Sequence, residues 1–235
     1  MEQEEFKMGF VKTAIKTNSA LDILKAIKGL FKTGWTLDEE NIVLWKDTPA
    51  AFPVGLCYDI YTSSSTTKYI QPCVKNAAGE TKPPKETLLS VSSTAIEYYI
   101  GVYTSPGGSI FVDVSTETAS TPSGLFGFIK NTATDPALPS YLPVHYVARE
   151  TSMCCQTPGT DAKCYVPAPD YLPLGLNYTL CNAVDPYTGT AFTDLYFLAA
   201  KTSSDPPLIL TNGNYKFVRF RRYSSNSRAF YLRYV

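Results

Sequence analysis

Helical spacing of apolar residues marks a single stretch of the chain. Leu21, Leu24, Ile27 and Phe31 recur every three or four residues, Ile23 and Leu30 widen the stripe, and Asp22, Lys25, Lys28 and Lys32 take the other side. Ser19 with Asp22 three residues later reads as a capping-box-like start, because a hydroxyl there can accept from the first free N–H groups. Gly34 stands where a helix stop is wanted, and Lys28 and Lys32 suit the negative end of the helix dipole. The spacing predicts a short amphipathic helix packed by one face on its own sheet. A hairpin is expected next: Trp35-Thr36-Leu37, a polar turn Asp38-Glu39-Glu40-Asn41, then Ile42-Val43-Leu44-Trp45. Both tryptophans are expected to face the helix, making a helix–hairpin unit over about residues 18–46.

The remainder alternates with period two. Val54, Leu56, Tyr58 and Ile60 form one such run and Ile96, Tyr98, Ile100 and Val102 another. Residues 109–115, 125–130, 144–149, 192–201 and 216–223 are further strand candidates, separated by turn chemistry such as Pro106-Gly107-Gly108, Pro122-Ser123-Gly124 and Asn212-Gly213-Asn214. Short, evenly punctuated strands imply a mainly β chain, a β-sandwich or barrel-like domain carrying the N-terminal helix and hairpin. Prolines crowd residues 136–173, which read as an irregular ordered insertion anchored by Tyr141, Leu142, Tyr165 and Tyr171. No repeat or internal boundary divides residues 1–235, so a single domain is expected.

Candidate chemistry is sparse. The sequence has no phosphate-binding glycine loop, no dinucleotide fingerprint and no nucleophile elbow. His145 is the only histidine and sits among apolar neighbours, which favours a structural role over catalysis. Cys154 or Cys155 with His145 would make a thiol nucleophile and base if the fold brought them together. Asp59, Glu97 and Asp113 would make a glycosidase-like carboxylate pair only if their strands converged. Cys154, Cys155, Cys164 and Cys181 lack the paired C-x2-C spacing of zinc knuckles, so disulfides formed in an oxidising medium rank above a metal. Cys57 and Cys73 complete the six cysteines, and reduced, buried thiols are the expectation for a chain without an export signal. The start is acidic, and no run approaches the roughly 18 apolar residues of a membrane span. No catalytic residue, cofactor or metal site is assigned, and the chain is expected not to be an enzyme.

Charge alters the picture at the C-terminus. Charged residues are 18% of the chain, against about 25% in ordinary soluble domains, while aromatics reach 13%. Interface cores are similarly poor in Lys, Glu and Asp and rich in Tyr, Phe and Arg. The net charge is zero, yet it is unevenly distributed. After Asp205 stand six cations and no acid, which leaves fifteen basic against twenty-one acidic residues before it. Two alternating runs flank Ser224-Ser225-Asn226-Ser227 and predict a terminal hairpin with arginine on at least one face. Arg219, Phe220, Arg221, Arg222, Tyr223, Arg228, Tyr231 and Arg233 are the candidate interface residues. Arginine and aromatic side chains on strands stack and pair across protein interfaces. The same residue types bind single-stranded nucleic acid, which ranks below a protein interface and below neutralisation of the chain's own acidic part.

The order "NSALDILKAIKGLFKTGWTL", "NIVLWKD", a β-rich body and "YLPLGLNYTL" resembles a class of tailed-bacteriophage virion proteins. In that class a short N-terminal helix is followed by Gly-Trp-Thr and a β domain. The resemblance covers the first forty or so residues and the Tyr171-Leu172-Pro173-Leu174 area; the six cysteines and the Arg-rich end lie outside it. It implies a non-enzymatic structural subunit of the tail, baseplate or neck, found in the virion after synthesis in the host cytoplasm. Its expected partners are other virion structural proteins and copies of itself, with no membrane or nucleic acid. The rival reading is a carbohydrate- or receptor-binding β module of a phage particle or cell surface, using exposed Tyr and Trp.

Overall fold

A computed structural model describes residues 10–31, 33–46, 53–60, 68–75, 81–82, 89–116, 124–130, 141–146, 153–155, 163–165, 172–173, 178–184, 191–200, 209–212, 214–222 and 228–233. From the N-terminus, β1 (Phe10–Thr17) and α1 (Ala20–Leu30) lead into β2 (Trp35–Asp38), β3 (Val43–Lys46), β4 (Val54–Ile60), β5 (Lys68–Lys75), β6 (Thr81–Lys82) and β7 (Leu89–Val91). Then come β8 (Ile96–Thr104), β9 (Ile110–Thr116), β10 (Gly124–Lys130), β11 (Tyr141–Tyr146), β12 (Met153–Cys155) and β13 (Lys163–Tyr165). The last six strands are β14 (Leu172–Pro173), β15 (Tyr178–Val184), β16 (Ala191–Ala200), β17 (Ile209–Asn212), β18 (Tyr215–Arg222) and β19 (Arg228–Arg233). The fold is mainly β, and every strand pairing among the described residues is antiparallel.

Two sheets form a sandwich closed by the helix. The larger runs β1-β8-β9-β10-β11-β12-β13, and the second runs β2-β3-β4-β5-β6 with β7 also paired to β5. Between them lies one apolar cluster: Ile23, Leu24 and Ile27 of α1, Val54, Leu56 and Ile70 of the second sheet, and Tyr98, Ile100, Val112, Phe126 and Phe128 of the first. The alternation expected of β4 and β8 is what delivers these residues to one face. Removing large apolar side chains from water is the dominant stabilising term for such a core.

The helix starts as its sequence dictates. The Ser19 hydroxyl accepts from the Asp22 N–H at 3.3 Å, and the Asp22 carboxylate accepts from the Thr17 hydroxyl at 2.7 Å. That couples the cap to the last residue of β1. The C-terminus differs from expectation, since the helix ends at Leu30 and Phe31 is extended, its N–H bonding the Lys28 carbonyl at 3.1 Å. Gly34 is instead spent on the turn into β2, where its φ of +80° suits a residue without Cβ. Phe31 leaves the helix to stack on Trp35 at 4.4 Å between ring centroids, and Trp35 meets the edge of Phe128 at 5.2 Å.

The two tryptophans do not both face the helix. Trp35 pairs with Lys46 and Trp45 with Thr36, adjacent rungs of one ladder that present opposite faces. Trp35 enters the main core; Trp45 packs on Val43, Cys57 and Cys73 behind the second sheet. The helix also packs on β1 and β8 as well as on β2 to β5, so it belongs to the whole sandwich rather than to the hairpin alone. Strand β1, hidden in the sequence by threonines on its apolar face, pairs along its full length with β8. Within the proline-rich stretch 136–173, the described residues supply β11, β12 and β13, the far end of the large sheet, and β14. Among the described residues, no helix is long and apolar enough to cross a membrane.

Candidate functional site

The arginine-rich residues lie in the third sheet, ordered β14-β15-β16-β19-β18-β17. The expected terminal hairpin is there: β18 pairs antiparallel with β19, and β19 in turn pairs with β16. Register decides which residues share a face, because facing residues of an antiparallel pair lie on the same side. Phe217 faces Arg233, Arg219 faces Tyr231, Arg222 faces Ala229, and Tyr231 also faces Tyr196 of β16. Arg219, Arg222 and Arg233 therefore share one face with Tyr196, Phe217 and Tyr231.

Alternation alone would set Arg219 with Arg221 and against Arg222. The register shifts between Arg219 and Arg221, leaving Phe220 unpaired in a bulge, and that extra residue inverts the assignment. Arg221 faces Phe230, and Arg228 faces Ala199, so both belong to the opposite face with Leu195, Phe197, Val218 and Leu232. Tyr223 lies outside the described residues. Lys216 and its partner Thr211 are exposed at the β17–β18 end. Sequence reasoning missed Tyr196, since nothing local says that β19 inserts between β16 and β18.

The other candidates separate. Asp59 is on β4 of the second sheet, facing Tyr69, while Glu97 and Asp113 are on the first. Asp113 faces Gly101, four residues along β8 from Glu97, which is about 13 Å at strand rise. Glu97 is exposed and accepts from the Tyr99 hydroxyl at 2.8 Å. No carboxylate pair is built from these three. Pro106 and Gly107 tip a tight β8–β9 turn held by Ser105 N–H to Ser109 O at 2.8 Å and Gly108 N–H to Ser105 O at 2.9 Å. The turn is exposed at its tip and satisfied within itself.

The six cysteines are spread over all three sheets. Cys57 and Cys73 are buried, free thiols behind the second sheet. Burial pushes the Cys73 thiol well above its ordinary value, and the hydrogen bond and charge of Cys57 add to the rise. The Cys73 thiol is thereby kept protonated and inert. At the far end of the large sheet, His145 faces Cys154 and Cys154 faces Cys164, in the row that runs from Val102 through Val112 and Phe126. Cys155 faces Val144 and Lys163 on the other side of that sheet, and Cys181 faces Phe197 in the third. Among the side chains described, no group of three or more His, Cys, Asp or Glu is arranged to hold a metal ion.

These features define an antiparallel β-sandwich protein capped by an amphipathic helix, with a further sheet that carries the arginine and aromatic residues. No family model, curated protein or solved structure matches the chain.

Proposed function

We propose that this chain is a non-enzymatic structural subunit of a tailed-bacteriophage virion, in the tail, baseplate or neck, acting by protein–protein assembly. The observation that carries this reading is the sheet face shared by Arg219, Arg222, Arg233, Phe217, Tyr196 and Tyr231. Arginine and tyrosine are the residue types that dominate binding energy at protein interfaces, because each buries area while keeping directional polar contacts. The six cations after Asp205, with no acid among them, and the acidic excess before it supply complementary charge for a neighbouring copy. The N-terminal resemblance points to the same class of protein.

In purified tailed particles of the encoding virus, mass spectrometry is expected to find the chain. Arg219→Glu/Arg222→Glu/Arg233→Glu is expected to fold, by circular dichroism, yet to be excluded from those particles at least about tenfold. Absence of the wild-type chain from particles, or incorporation of the folded triple variant at the wild-type level, overturns the proposal. Glycan-array binding that survives the triple reversal would support the receptor-binding module instead.

A further inference from the structure

His145, Cys154 and Cys164 occupy consecutive positions of one row across β11, β12 and β13. Among the described residues those three strands form one end of the seven-stranded sheet, and β12 and β13 are three residues each. Ladders that short contribute little by themselves, and an unprotected edge invites pairing with other chains. Facing residues of an antiparallel pair have Cα atoms about 4.5–5.5 Å apart, inside the roughly 4.4–6.8 Å that a disulfide spans. None of the other cysteines faces a cysteine: Cys57 faces Val43 and Gln71, Cys73 faces Gly55, Cys155 faces Val144 and Lys163, and Cys181 faces Phe197.

We propose that Cys154 and Cys164 form a reversible cross-strand disulfide that clasps the β12–β13 edge, with His145 as the base that makes Cys154 the attacking thiol. The placement gives each residue its part. Cys154 is central, with an imidazole-bearing position on one side and a second thiol position on the other. Cys154 gives its proton to His145, and the thiolate attacks one sulfur of a low-molecular-weight disulfide such as oxidised glutathione, releasing one thiolate. Cys164, once deprotonated, attacks the Cys154 sulfur of the mixed disulfide and releases the second. Two protein thiols and one small disulfide become one protein disulfide and two small thiols, so atoms and electrons balance. A reducing thiol pool runs the same steps backwards.

The test uses the full chain, incubated with oxidised glutathione, alkylated and digested with trypsin without reduction. Cleavage after Arg149, Lys163 and Lys201 puts Cys154 and Cys155 in peptide 150–163, and Cys164 and Cys181 in peptide 164–201. The two peptides are expected as a linked species lighter by two hydrogens than their sum, which reducing agent releases. The link should persist in Cys155→Ser/Cys181→Ser and vanish in Cys154→Ser and in Cys164→Ser. His145→Phe should slow closure about tenfold and leave its final extent unchanged, which a purely structural histidine would not do. No linked species in the wild-type chain overturns the disulfide, and so does a link that survives Cys164→Ser. One equivalent of bound zinc that shields both thiols from alkylation overturns it in favour of a metal site. Closure in His145→Phe at the wild-type rate removes His145 from the step.

Discussion

In the helix-capped sandwich, β8 sends Tyr98, Ile100 and Val102 into the core and leaves Glu97 and Tyr99 in water on the other side. In the C-terminal sheet, arginine stands among aromatic residues on both faces, with Tyr196, Phe217 and Tyr231 on one and Phe197 and Phe230 on the other. The first arrangement completes itself, since its apolar face is already covered by a helix and a second sheet. The second combines groups that are worth most when another surface removes them from water. The contrast separates a face that is already covered within the sandwich from one whose residue types suit the proposed assembly role.

Substitutions in the two regions should therefore differ in what they disturb. The largest effect is expected for Phe126→Ala, which empties a fully buried site between the sheets. A loss of about 3–5 kcal/mol in urea unfolding is expected, and a loss below about 1 kcal/mol would mean that the sandwich is not the stabilising unit. Gly55→Ala comes next, because a Cβ there would lie 2.6 Å from the Leu44 carbonyl oxygen and 2.9 Å from the Trp45 ring. Backbone cannot yield as a side-chain tip does, so about 1–3 kcal/mol should be lost, read from the same curves. Ser19→Ala should cost about 1 kcal/mol by removing the cap, with particle incorporation of the folded protein unchanged.

The smallest effect is the pH response of Cys73. Its raised pKa means that the folded state holds the thiol proton more tightly than the unfolded chain. That stabilisation is complete below the ordinary thiol value, about 8.5, and is lost as pH rises through the higher folded value. Urea midpoints should fall above about pH 8.5 in the wild type and fall less steeply in Cys73→Ala. An identical alkaline slope in both would remove the thiol from the balance.

Much of the sandwich was legible because its signals are local. The apolar stripe of α1 and the alternation of β4 and β8 each lie within a dozen residues, and they mark the residues that reach the core, although Cys57 and Tyr103 on the other faces are buried too. The face of Trp45 was not legible, because it depends on where the turn ends. Ile42 was expected to open the strand but instead sits in the turn with φ of +52°, a conformation rare for a β-branched residue. Its side chain packs on the core and its carbonyl accepts from the Tyr58 N–H at 3.1 Å, so tertiary contacts hold the turn in place. The terminal hairpin was legible as two alternating runs around a polar turn. The grouping of its arginines was not, because a bulge at Phe220 exchanges Arg221 for Arg222 on the shared face. His145 and Cys154 were visible as candidates from the start, and what the sequence lacked was the β11–β12 register that sets them opposite each other.

The position of β19 has a consequence for the timing of synthesis. The last strand in chain order lies between β16 and β18, so this sheet cannot be completed while residues 228–233 are still unmade. Until then β16 lacks one neighbour, and β17–β18 remains a separate hairpin. The arginine–aromatic face is thus complete only once residues later in the chain than those of the sandwich have been made.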